Sequence, residues 1–479
     1  MAVLGIDLGT QSVKVVGVDD DGSVLASVTR PYVVDSPVEG WAESDPQRWL
    51  DACEEAAAEV MDHLPQAPRA MGLSGQMHGV VLCDAAGTPV RPAILWADSR
   101  SSMQARALRS ELGPAECARL GSAPFPGFAG PTLRWLSEHE PDSLARARWA
   151  LQPKDWLRMT WTGEATTEPS DASGTLLYDL VEGRWSTEAL RACRVREDLL
   201  APIRPSSALA GEVNRAGSVL QGLPVAVGGA DAACAVHGLG LMPGEGSLTV
   251  GTGAQIASML TEPHPDPTLR THTFASVGPP GAGFMRLGAV QSGGLALERA
   301  LGWLGADLAE ARAALAEGIS SADPLFLPFV SGERSPYIDP DLRAAWTGLS
   351  LATTRAALLR SVLEGMAYAV AAAFAAVVES DAQPSEPLTV LGGGSRDAGY
   401  LQLLSDALGV ALQPSTVHDA TALGAARLGG AVIDLSIPPA VRAERGRVEP
   451  VVAPLIVERQ GRWRAEVEGR TSAEGMGHA

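Results

Sequence analysis

Residues 1–18 read MAVLGIDLGTQSVKVVGV, and residues 244–260 read GEGSLTVGTGAQIASML. In each stretch a short apolar segment runs into a glycine-threonine turn, and a second apolar segment follows. The segments Gly5–Thr10 and Ser247–Thr252 lie half a chain apart. A repeat with this spacing predicts an internal duplication and therefore two related domains. Coincidence is the alternative, because Gly-Thr pairs are common.

Strands and helices alternate outward from these two stretches. Residues 2–7 and 224–227 are short apolar runs typical of buried strands. Asp45 followed by Pro46 is typical of a helix start, and the helical pattern continues to about residue 63. Residues 354–379 form the longest helical pattern. The alternation predicts an α/β fold.

The chain length, 479 residues, suits about three domains or two large ones. The repeat favours an N-terminal domain over residues 1–242 and a C-terminal domain over residues 243–433. Beyond residue 433 the periodicity fades, and Pro, Arg and Glu become frequent. Residues 434–479 are therefore predicted to form a peripheral segment, part of it disordered.

Composition narrows the function classes. Lys and Arg number 37 against 56 Asp and Glu, a net charge of −19, which argues against nucleic acid and anionic membranes as partners. The five cysteines are scattered without a CxxC motif, as in a reduced, cytoplasmic protein. The N-terminus lacks the basic region of a signal peptide. The longest apolar run, residues 366–378, is too short to span a bilayer and is expected to be a buried helix.

Lysine is rare in this sequence, because only Lys14 and Lys154 occur. Neither follows a glycine, so the GxxxxGK[ST] phosphate-binding loop is excluded. The commonest route to ATP chemistry is therefore closed, although others remain.

Three glycine-rich turns follow predicted strands: Gly9-Thr10, Gly251-Thr252 and Gly392-Gly393-Gly394. Glycine lets the backbone approach a phosphate, and successive N–H groups can surround the anion. Each turn alone is more simply a hairpin. Together, on a half-chain repeat, they favour a site that holds a triphosphate between two domains.

Six further residues, in four short segments, are candidates for sugar and metal chemistry. Asp7 precedes the first glycine turn, where an acid suits a Mg²⁺ site, although a hairpin aspartate is the alternative. Asp231 follows a buried strand and suits either a general base or a helix N-cap. His78, with Met77, lies in a polar turn and suits a sugar hydroxyl or simple exposure. Trp96 with Asp98 suits a sugar face or a core tryptophan.

The order of several motifs resembles the FGGY family of carbohydrate kinases, and within it most closely the xylulokinases. The similarity covers residues 2–430, nearly the whole chain. It implies two ribonuclease-H-like domains, as in actin, hexokinase and heat-shock ATPases, with the active site in the cleft between them. The motifs that carry it are GIDLGTQSVKVV, LSGQMHGVVL, RPAILWADSR, QPKDWLRMTWTG, DASGTLLYD, VGGADAACAV, VGTGAQ, FLPFVSGERSPY, GLSLATTRAALLRSVLEGMAYAV and LGGGSRDAGYLQLLSDALG.

The resemblance implies roles for individual positions. Asp231 would be the base that activates the sugar hydroxyl and, with Asp7, would help to hold Mg²⁺. Met77 and His78 would contact the sugar, with Trp96 and Asp98 near it. The expected nucleotide contacts are Gly9, Thr10, Gln11, Lys14, Gly251, Thr252, Gly393, Gly394 and Ser395. The ligands implied are ATP, Mg²⁺ and a small sugar, and the family often forms homodimers.

The implied reaction is ATP-dependent phosphorylation of a ketopentose, D-xylulose to D-xylulose 5-phosphate. Three departures from the family pattern leave the exact sugar open: Ala97 and Ala232 replace usual asparagines, and Thr132 replaces a usual lysine. The alternatives are a kinase of another ketose or a pentitol, such as ribulose, xylitol or arabinitol, and a catalytically silent binding protein. A dehydrogenase is disfavoured, because no GxGxxG follows a strand with an acid about 20 residues later.

Overall fold

The structure is a computed structural model that describes residues 1–277, 283–417, 419–440, 446–451 and 453–475, with side chains to residue 471. The first half of the chain contains thirteen strands and eight helices. The strands are β1 (Val3–Leu8), β2 (Ser12–Val18), β3 (Val24–Pro31), β4 (Glu43–Ser44), β5 (Met71–Gly75), β6 (Val81–Cys83), β7 (Ala93–Ile94), β8 (Trp149–Leu151), β9 (Tyr178–Asp179), β10 (Arg184–Trp185), β11 (Leu209–Glu212), β12 (Pro224–Ala226) and β13 (Gly229–Ala230). The helices are α1 (Pro46–His63), α2 (Ser102–Arg119), α3 (Ala129–His139), α4 (Pro141–Arg146), α5 (Pro153–Thr162), α6 (Pro169–Ser173), α7 (Thr187–Cys193) and α8 (Asp231–Gly238).

The second half contributes eight strands and six helices to the described residues. The strands are β14 (Gly246–Val250), β15 (Ala254–Leu260), β16 (His272–Ala275), β17 (Phe284–Val290), β18 (Leu325–Leu327), β19 (Ala345–Thr347), β20 (Leu388–Leu391) and β21 (Leu412–Pro414). The helices are α9 (Gly294–Leu304), α10 (Leu308–Ala316), α11 (Arg355–Glu379), α12 (Ala398–Leu408), α13 (Ala420–Ala431) and α14 (Pro454–Gly475).

Each half builds its own mixed sheet, and the two sheets have the same plan. The first sheet runs β11-β12-β5-β1-β2-β3, with β13 also paired to β5, and the second runs β16-β17-β15-β14-β20-β21. In each, the hairpin strands β1–β2 or β14–β15 are antiparallel, and the first of them pairs in parallel with β5 or β20. The predicted α/β fold with two ribonuclease-H-like domains is confirmed.

Local sequence signals account for the main helices. Asp45 caps α1 by accepting a hydrogen bond from the N–H of Gln47 at 3.0 Å, and Pro46 occupies the first turn. Helix α11 matches the predicted helical pattern and packs against β15, β17 and β18. It is long and apolar enough to cross a membrane, but 89% of its most apolar window is buried inside the protein. It is the core helix of the second sheet.

Two helices cross where the halves meet. Helix α13 comes from the second half of the chain, yet it packs against α8 and against β1 and β5 of the first sheet. Glycine permits both approaches: a Cβ on Gly424 would lie 1.9 Å from the carbonyl oxygen of Cys234, and one on Gly5 would lie 2.0 Å from that of Ala422. The base of the cleft between the halves is therefore tightly packed.

The C-terminal segment contains a helix that sequence patterning did not reveal. Trp463 of α14 is 1% exposed, and its indole N–H donates to the carbonyl oxygen of Phe326 at 2.8 Å. The fully buried Arg459 bonds both carboxylate oxygens of Glu364, at 2.6 and 2.5 Å. This helix therefore covers the second sheet's core. Residues 441–445, 452 and 476–479 of the predicted segment lie outside the described residues.

Candidate functional site

A cleft of about 430 Å³ opens between the two halves. The glycine turn at residues 392–393 and the first turn of α8 border it, whereas Gly251 and Thr252 are not among its lining residues. Of the predicted site residues, Lys14, Asp231, Gly393 and Ser395 line this cleft, together with Ala232, Ala235, Thr249, Gln255, Leu391, Gly392, Arg396, Ser415, Val417, Ala420 and Thr421. Sequence reasoning had assigned no role to Thr249, Gln255 or Arg396, although Gln255 lies in the VGTGAQ motif.

Neighbouring strands bring Asp7 and Asp231 together. Asp7 of β1 is in register with Ser74 of β5, and Ser74 is in register with Gly229 of β13. Asp231 begins α8 directly after β13. Both carboxylates therefore lie at the carboxyl ends of parallel strands, where α/β sheets place ligands.

Burial raises the pKa values of both carboxyl groups. Burial raises the pKa of Asp231 to about 6, and the hydrogen bond from the Ala232 N–H at 2.7 Å opposes the shift. Burial also raises the pKa of Asp7 to about 7, and the Asp231 charge adds to the effect. A carboxylate with a raised pKa is a better proton acceptor than an ordinary one.

The same pair fits a divalent cation. Asp7 Oδ1 is buried and has no hydrogen-bond partner. The described residues contain no cluster of three or more Asp, Glu, His or Cys side chains that would form a closed metal cage. Mg²⁺ characteristically takes one or two carboxylates and completes its shell with water and phosphate oxygens. Asp7 and Asp231 match that donor set.

His78 is buried and held in one orientation by its neighbours. It adopts a left-handed backbone with φ of 72°, and its ring stacks on Phe128 at 4.1 Å. Nδ1 lies 2.6 Å from the carbonyl oxygen of Gly174, and burial, followed by the charge of Arg334, holds the His78 pKa well below its usual value. The ring is therefore neutral with its proton on Nδ1, which leaves Nε2 as an acceptor. Met77 is buried next to it, 5% exposed.

The structure separates Trp96 from Asp98. Trp96 donates its indole N–H to Thr10 Oγ1 at 2.8 Å, which links the Trp96 side chain to the first glycine turn. Asp98 instead accepts four hydrogen bonds: from the Ala42 N–H and from the backbone N–H, Nε and Nη2 of Arg100, at 2.7 to 2.9 Å. These fill its acceptor sites. Asp98 therefore braces the loop, with no oxygen left for a ligand, in contrast to the predicted sugar contact.

The glycine turns sit at the strand ends but differ in their surroundings. The Gly9 N–H donates to the Ser12 carbonyl oxygen at 3.0 Å, and Gln11 is exposed. The Gly251 N–H donates to the Gly253 carbonyl oxygen at 2.8 Å, and the following Thr252 accepts from the N–H of Leu295 at 3.1 Å. These interactions shape the turns that precede β2 and β15.

The third turn requires glycine. Gly392 has φ of 87°, and a Cβ there would lie 2.3 Å from the Val250 carbonyl oxygen. Gly393 has open space around it, whereas a Cβ on Gly394 would contact the Val250 side chain at 2.5 Å. Ser395 donates its hydroxyl to the Gly392 carbonyl oxygen at 2.7 Å. The chain thus passes close to β14 and exposes Gly393 to the cleft.

Lys14 is held by an ion pair. Its ammonium lies 2.5 Å from Asp419 Oδ1, just before α13. The two residues that replace expected asparagines have different settings: Ala232 lines the cleft beside Asp231, whereas Ala97 is exposed. Thr132 is buried in α3. Ala232 is therefore the substitution placed to affect a ligand.

The chain is similar to known proteins over nearly its whole length. Residues 2–238 match the N-terminal domain of the FGGY family of carbohydrate kinases, and residues 246–432 match its C-terminal domain. Xylulose kinase of Escherichia coli K12 is 34% identical over 434 residues, 89% of each chain. Xylulose kinase of Streptomyces coelicolor is 36% identical over 441 residues, 88% of this chain and 86% of that one. A crystal structure of the Brucella ovis xylulose kinase is 33% identical, with TM-score 0.89 over 99% and 100% of the chains.

Proposed function

The chain belongs to the FGGY family of carbohydrate kinases, and from this premise we propose that it transfers the γ-phosphoryl group of ATP to D-xylulose, forming D-xylulose 5-phosphate. The observation that carries the proposal is the carboxylate of Asp231 at the start of α8, bordering the cleft between the halves. We choose D-xylulose as the sugar because the relatives from Escherichia coli and Streptomyces coelicolor are named xylulose kinases.

In the mechanism we propose, Asp231 accepts the proton of the attacking sugar hydroxyl. Burial raises the pKa of Asp231 to about 6, so the group is ionised at neutral pH and is more basic than an exposed aspartate. The Ala232 N–H keeps one carboxylate oxygen in place. Catalysis then rests on holding the hydroxyl oxygen in line with the γ-phosphorus and on excluding water from the cleft.

The remaining residues bind and orient the two substrates. His78 accepts a hydrogen bond from a sugar hydroxyl through Nε2, beside Met77 and the Trp96 ring. Lys14 offers positive charge to a phosphate once it releases Asp419. The nucleotide contacts proposed are Gly9, Thr10, Gln11, Gly251, Thr252, Gly393, Gly394 and Ser395.

Mg²⁺ would be held by Asp7 and Asp231. When bound, it supplies positive charge that offsets the charge of the phosphate oxygens. Asp7 has no other partner for its buried Oδ1, which supports this assignment.

We also propose a cytoplasmic location, where ATP and reduced thiols coexist. All five cysteines are buried and free, which suits a reducing compartment. The acidic surface, with a net charge of −19, suits small-molecule substrates rather than nucleic acid.

The test is ADP release by the purified protein with Mg²⁺-ATP and a panel of D-xylulose, D-ribulose, xylitol, D-arabinitol and glycerol. We expect release with D-xylulose, and a decrease of roughly 10²- to 10⁴-fold in kcat for Asp231→Asn. Asp51→Asn, on the exposed face of α1, is the matched control and should behave as wild type. Faster turnover of another sugar would contradict D-xylulose as the preferred substrate. An Asp231→Asn variant with unchanged activity would contradict Asp231 as the general base.

A further inference from the structure

Arg334 belongs to the second half of the chain but lies against three aromatic rings of the first half. It lies in the connection between β18 and β19 and is 9% exposed. Its guanidinium carbon lies 5.1 Å from the ring centroid of Trp96, 5.3 Å from that of Phe125 and 5.8 Å from that of Phe128. The ring faces of these residues attract the cation. Arg334 therefore connects the two halves of the chain.

The guanidinium of Arg334 has an unpaired donor. Its Nε is buried and has no hydrogen-bond partner. The charges of Glu333 and Asp231 act on the guanidinium, but the Glu333 carboxylate makes its hydrogen bonds elsewhere: it accepts from the N–H groups of Gln291 at 2.6 Å and Arg334 at 2.8 Å. Leaving a buried donor without a hydrogen bond is costly, so the unpaired Nε indicates an absent acceptor.

The backbone around Arg334 is fixed in place. Glu333 ties this connection to the end of β17 through the N–H of Gln291, and the Ser335 N–H donates to the Ala289 carbonyl oxygen at 2.8 Å. These contacts fix the backbone that carries Arg334, and three aromatic rings surround its guanidinium. A side chain confined in this way loses less entropy when a ligand arrives.

The guanidinium lies near residues proposed to bind the sugar, not near those proposed to bind the nucleotide. The Phe128 ring, whose centroid lies 5.8 Å from the Arg334 guanidinium carbon, is stacked on His78 at 4.1 Å, so the guanidinium and His78 contact the same ring. The nucleotide cleft is lined by other cations, Lys14 and Arg396, and Arg334 does not border it. Burial lowers the pKa of Arg334 only to about 10, so the group stays charged at neutral pH.

We propose that Arg334 is a substrate-binding residue that donates hydrogen bonds to oxygen atoms of the sugar, so that the sugar site is completed by the second half of the chain. The inference rests on the proposed function. A guanidinium is donor-only and a polyhydroxylated ketose is rich in acceptors, one of which, the carbonyl oxygen, cannot donate. The sugar would then hold the two halves together, coupling its binding to closure of the cleft.

The test compares Arg334→Met, which keeps bulk and removes the charge, with Arg334→Lys, which keeps the charge and removes the planar fork. Arg343→Met is the matched control, because Arg343 is an exposed arginine of the same connection. D-xylulose affinity is measured by calorimetry without nucleotide. KM for D-xylulose, KM for ATP, kcat and sugar-independent ATP hydrolysis are measured separately.

We expect Arg334→Met to weaken D-xylulose binding and to raise its KM by roughly 10- to 100-fold, the effect of losing hydrogen bonds from a charged donor. Arg334→Lys should recover part of the loss. KM for ATP and sugar-independent hydrolysis should stay within about twofold of wild type. If Arg334→Met does not fold, Arg334→Lys must still show a weaker sugar affinity.

Two results would overturn the inference. One is unchanged sugar affinity in both variants. The other is a fall in kcat and in sugar-independent hydrolysis with unchanged sugar KM, which would mean that Arg334 acts on the phosphoryl group. Failure of the proposed function has a different signature: wild type would release no ADP with D-xylulose, while calorimetry with the sugar panel would still decide whether Arg334 contacts sugar.

Discussion

The hairpin of β1 and β2 and the hairpin of β14 and β15 have equivalent partners in their sheets but carry different side chains. In the first, Asp7 faces Lys14 across the strand pair. In the second, the equivalent pair is Thr249 and Gln255. The first turn spans residues 9–12 between its paired strand ends, and the second spans only residues 251–253.

The two hairpins share a backbone arrangement but differ in the chemical groups that they carry. Both hairpins place a glycine turn at a strand end, which the backbone alone achieves. Only the first adds a carboxylate and a cation, and these lie with Asp231 and Asp419 where α8 and α13 meet. A second carboxylate in the β14–β15 hairpin would repel the phosphates, so neutral polar groups suit that side. Paired substitutions in the two hairpins can test this division.

The largest effect is expected from Asp7→Asn against Thr249→Val. Removing the Asp7 carboxylate should lower kcat roughly 100-fold or more and raise the Mg²⁺ concentration needed for half-maximal activity. Thr249→Val should change kcat less than about fivefold, because a neutral hydroxyl contributes a weaker hydrogen bond. Steady-state kinetics across a Mg²⁺ titration measure both, and equal losses would break the proposed asymmetry.

The same Asp7→Asn variant should not be less stable without Mg²⁺. Burial raises the pKa of Asp7 to about 7, so the folded state disfavours the charged form. As the pH rises above the pKa that Asp7 has in the unfolded chain, its ionisation therefore lowers the stability of the folded protein. Asparagine does not ionise, so the variant lacks this destabilisation at neutral pH. Thermal unfolding in EDTA should give Tm at or above wild type. A lower Tm would assign Asp7 a structural role.

A smaller effect, on stability, is expected from Gly5→Ala against Ser247→Ala. The two positions are equivalent, but a Cβ on Gly5 would lie 2.0 Å from the Ala422 carbonyl oxygen of α13, whereas Ser247 already carries a Cβ. Gly5→Ala must displace a helix backbone and should cost about 1–3 kcal/mol. Denaturant unfolding is the measurement, and Ser247→Ala should cost less than Gly5→Ala.

Next in size is Lys14→Met against Gln255→Leu. Loss of the ammonium should raise KM for ATP roughly 10-fold, and loss of the amide about threefold, since charged hydrogen bonds are the stronger ones. Asp419→Asn sharpens the comparison: it releases Lys14 from its ion pair and should lower KM for ATP. A higher KM for ATP in Asp419→Asn would contradict the idea that Asp419 and the ATP phosphates compete for Lys14.

The smallest contrast is Thr10→Ala against Thr252→Ala. Thr10 also accepts the Trp96 N–H, so its loss leaves that donor unpaired. We expect a rise of about threefold in KM for both ATP and sugar from Thr10→Ala, and in KM for ATP alone from Thr252→Ala. A change in KM for the sugar in Thr252→Ala would show that both turns, and not only the first, affect sugar binding.

Sequence reasoning reached the parts of the site that depend on local pattern. Asp231 was singled out because it follows a buried strand, and the structure has it at the start of α8 beside the cleft. Asp98 was singled out for its neighbour Trp96, yet its hydrogen bonds are all made within the protein. Nothing in the spacing of a Trp-x-Asp segment reveals whether a carboxylate already has partners.

Two features escaped sequence reasoning because their partners are distant in the chain. Arg334 lies in a motif that supported the family resemblance, but its contacts are with the rings of Trp96 and Phe128 in the other half of the chain. Helix α14 has a weak apolar pattern, since its burial rests on single residues such as Trp463 and on the Arg459–Glu364 ion pair.

By itself the sequence determined the duplicated strand–turn–strand units, the caps of the main helices and the absence of a lysine phosphate loop. These features follow from turn chemistry and side-chain periodicity, which act over a few residues. Only the tertiary structure decided that α13 covers the first sheet, that Asp7 and Asp231 share one buried site, and that Arg334 reaches the Trp96 ring of the first half. Such contacts join residues hundreds of positions apart, because packing and electrostatics depend on distance in space, not along the chain.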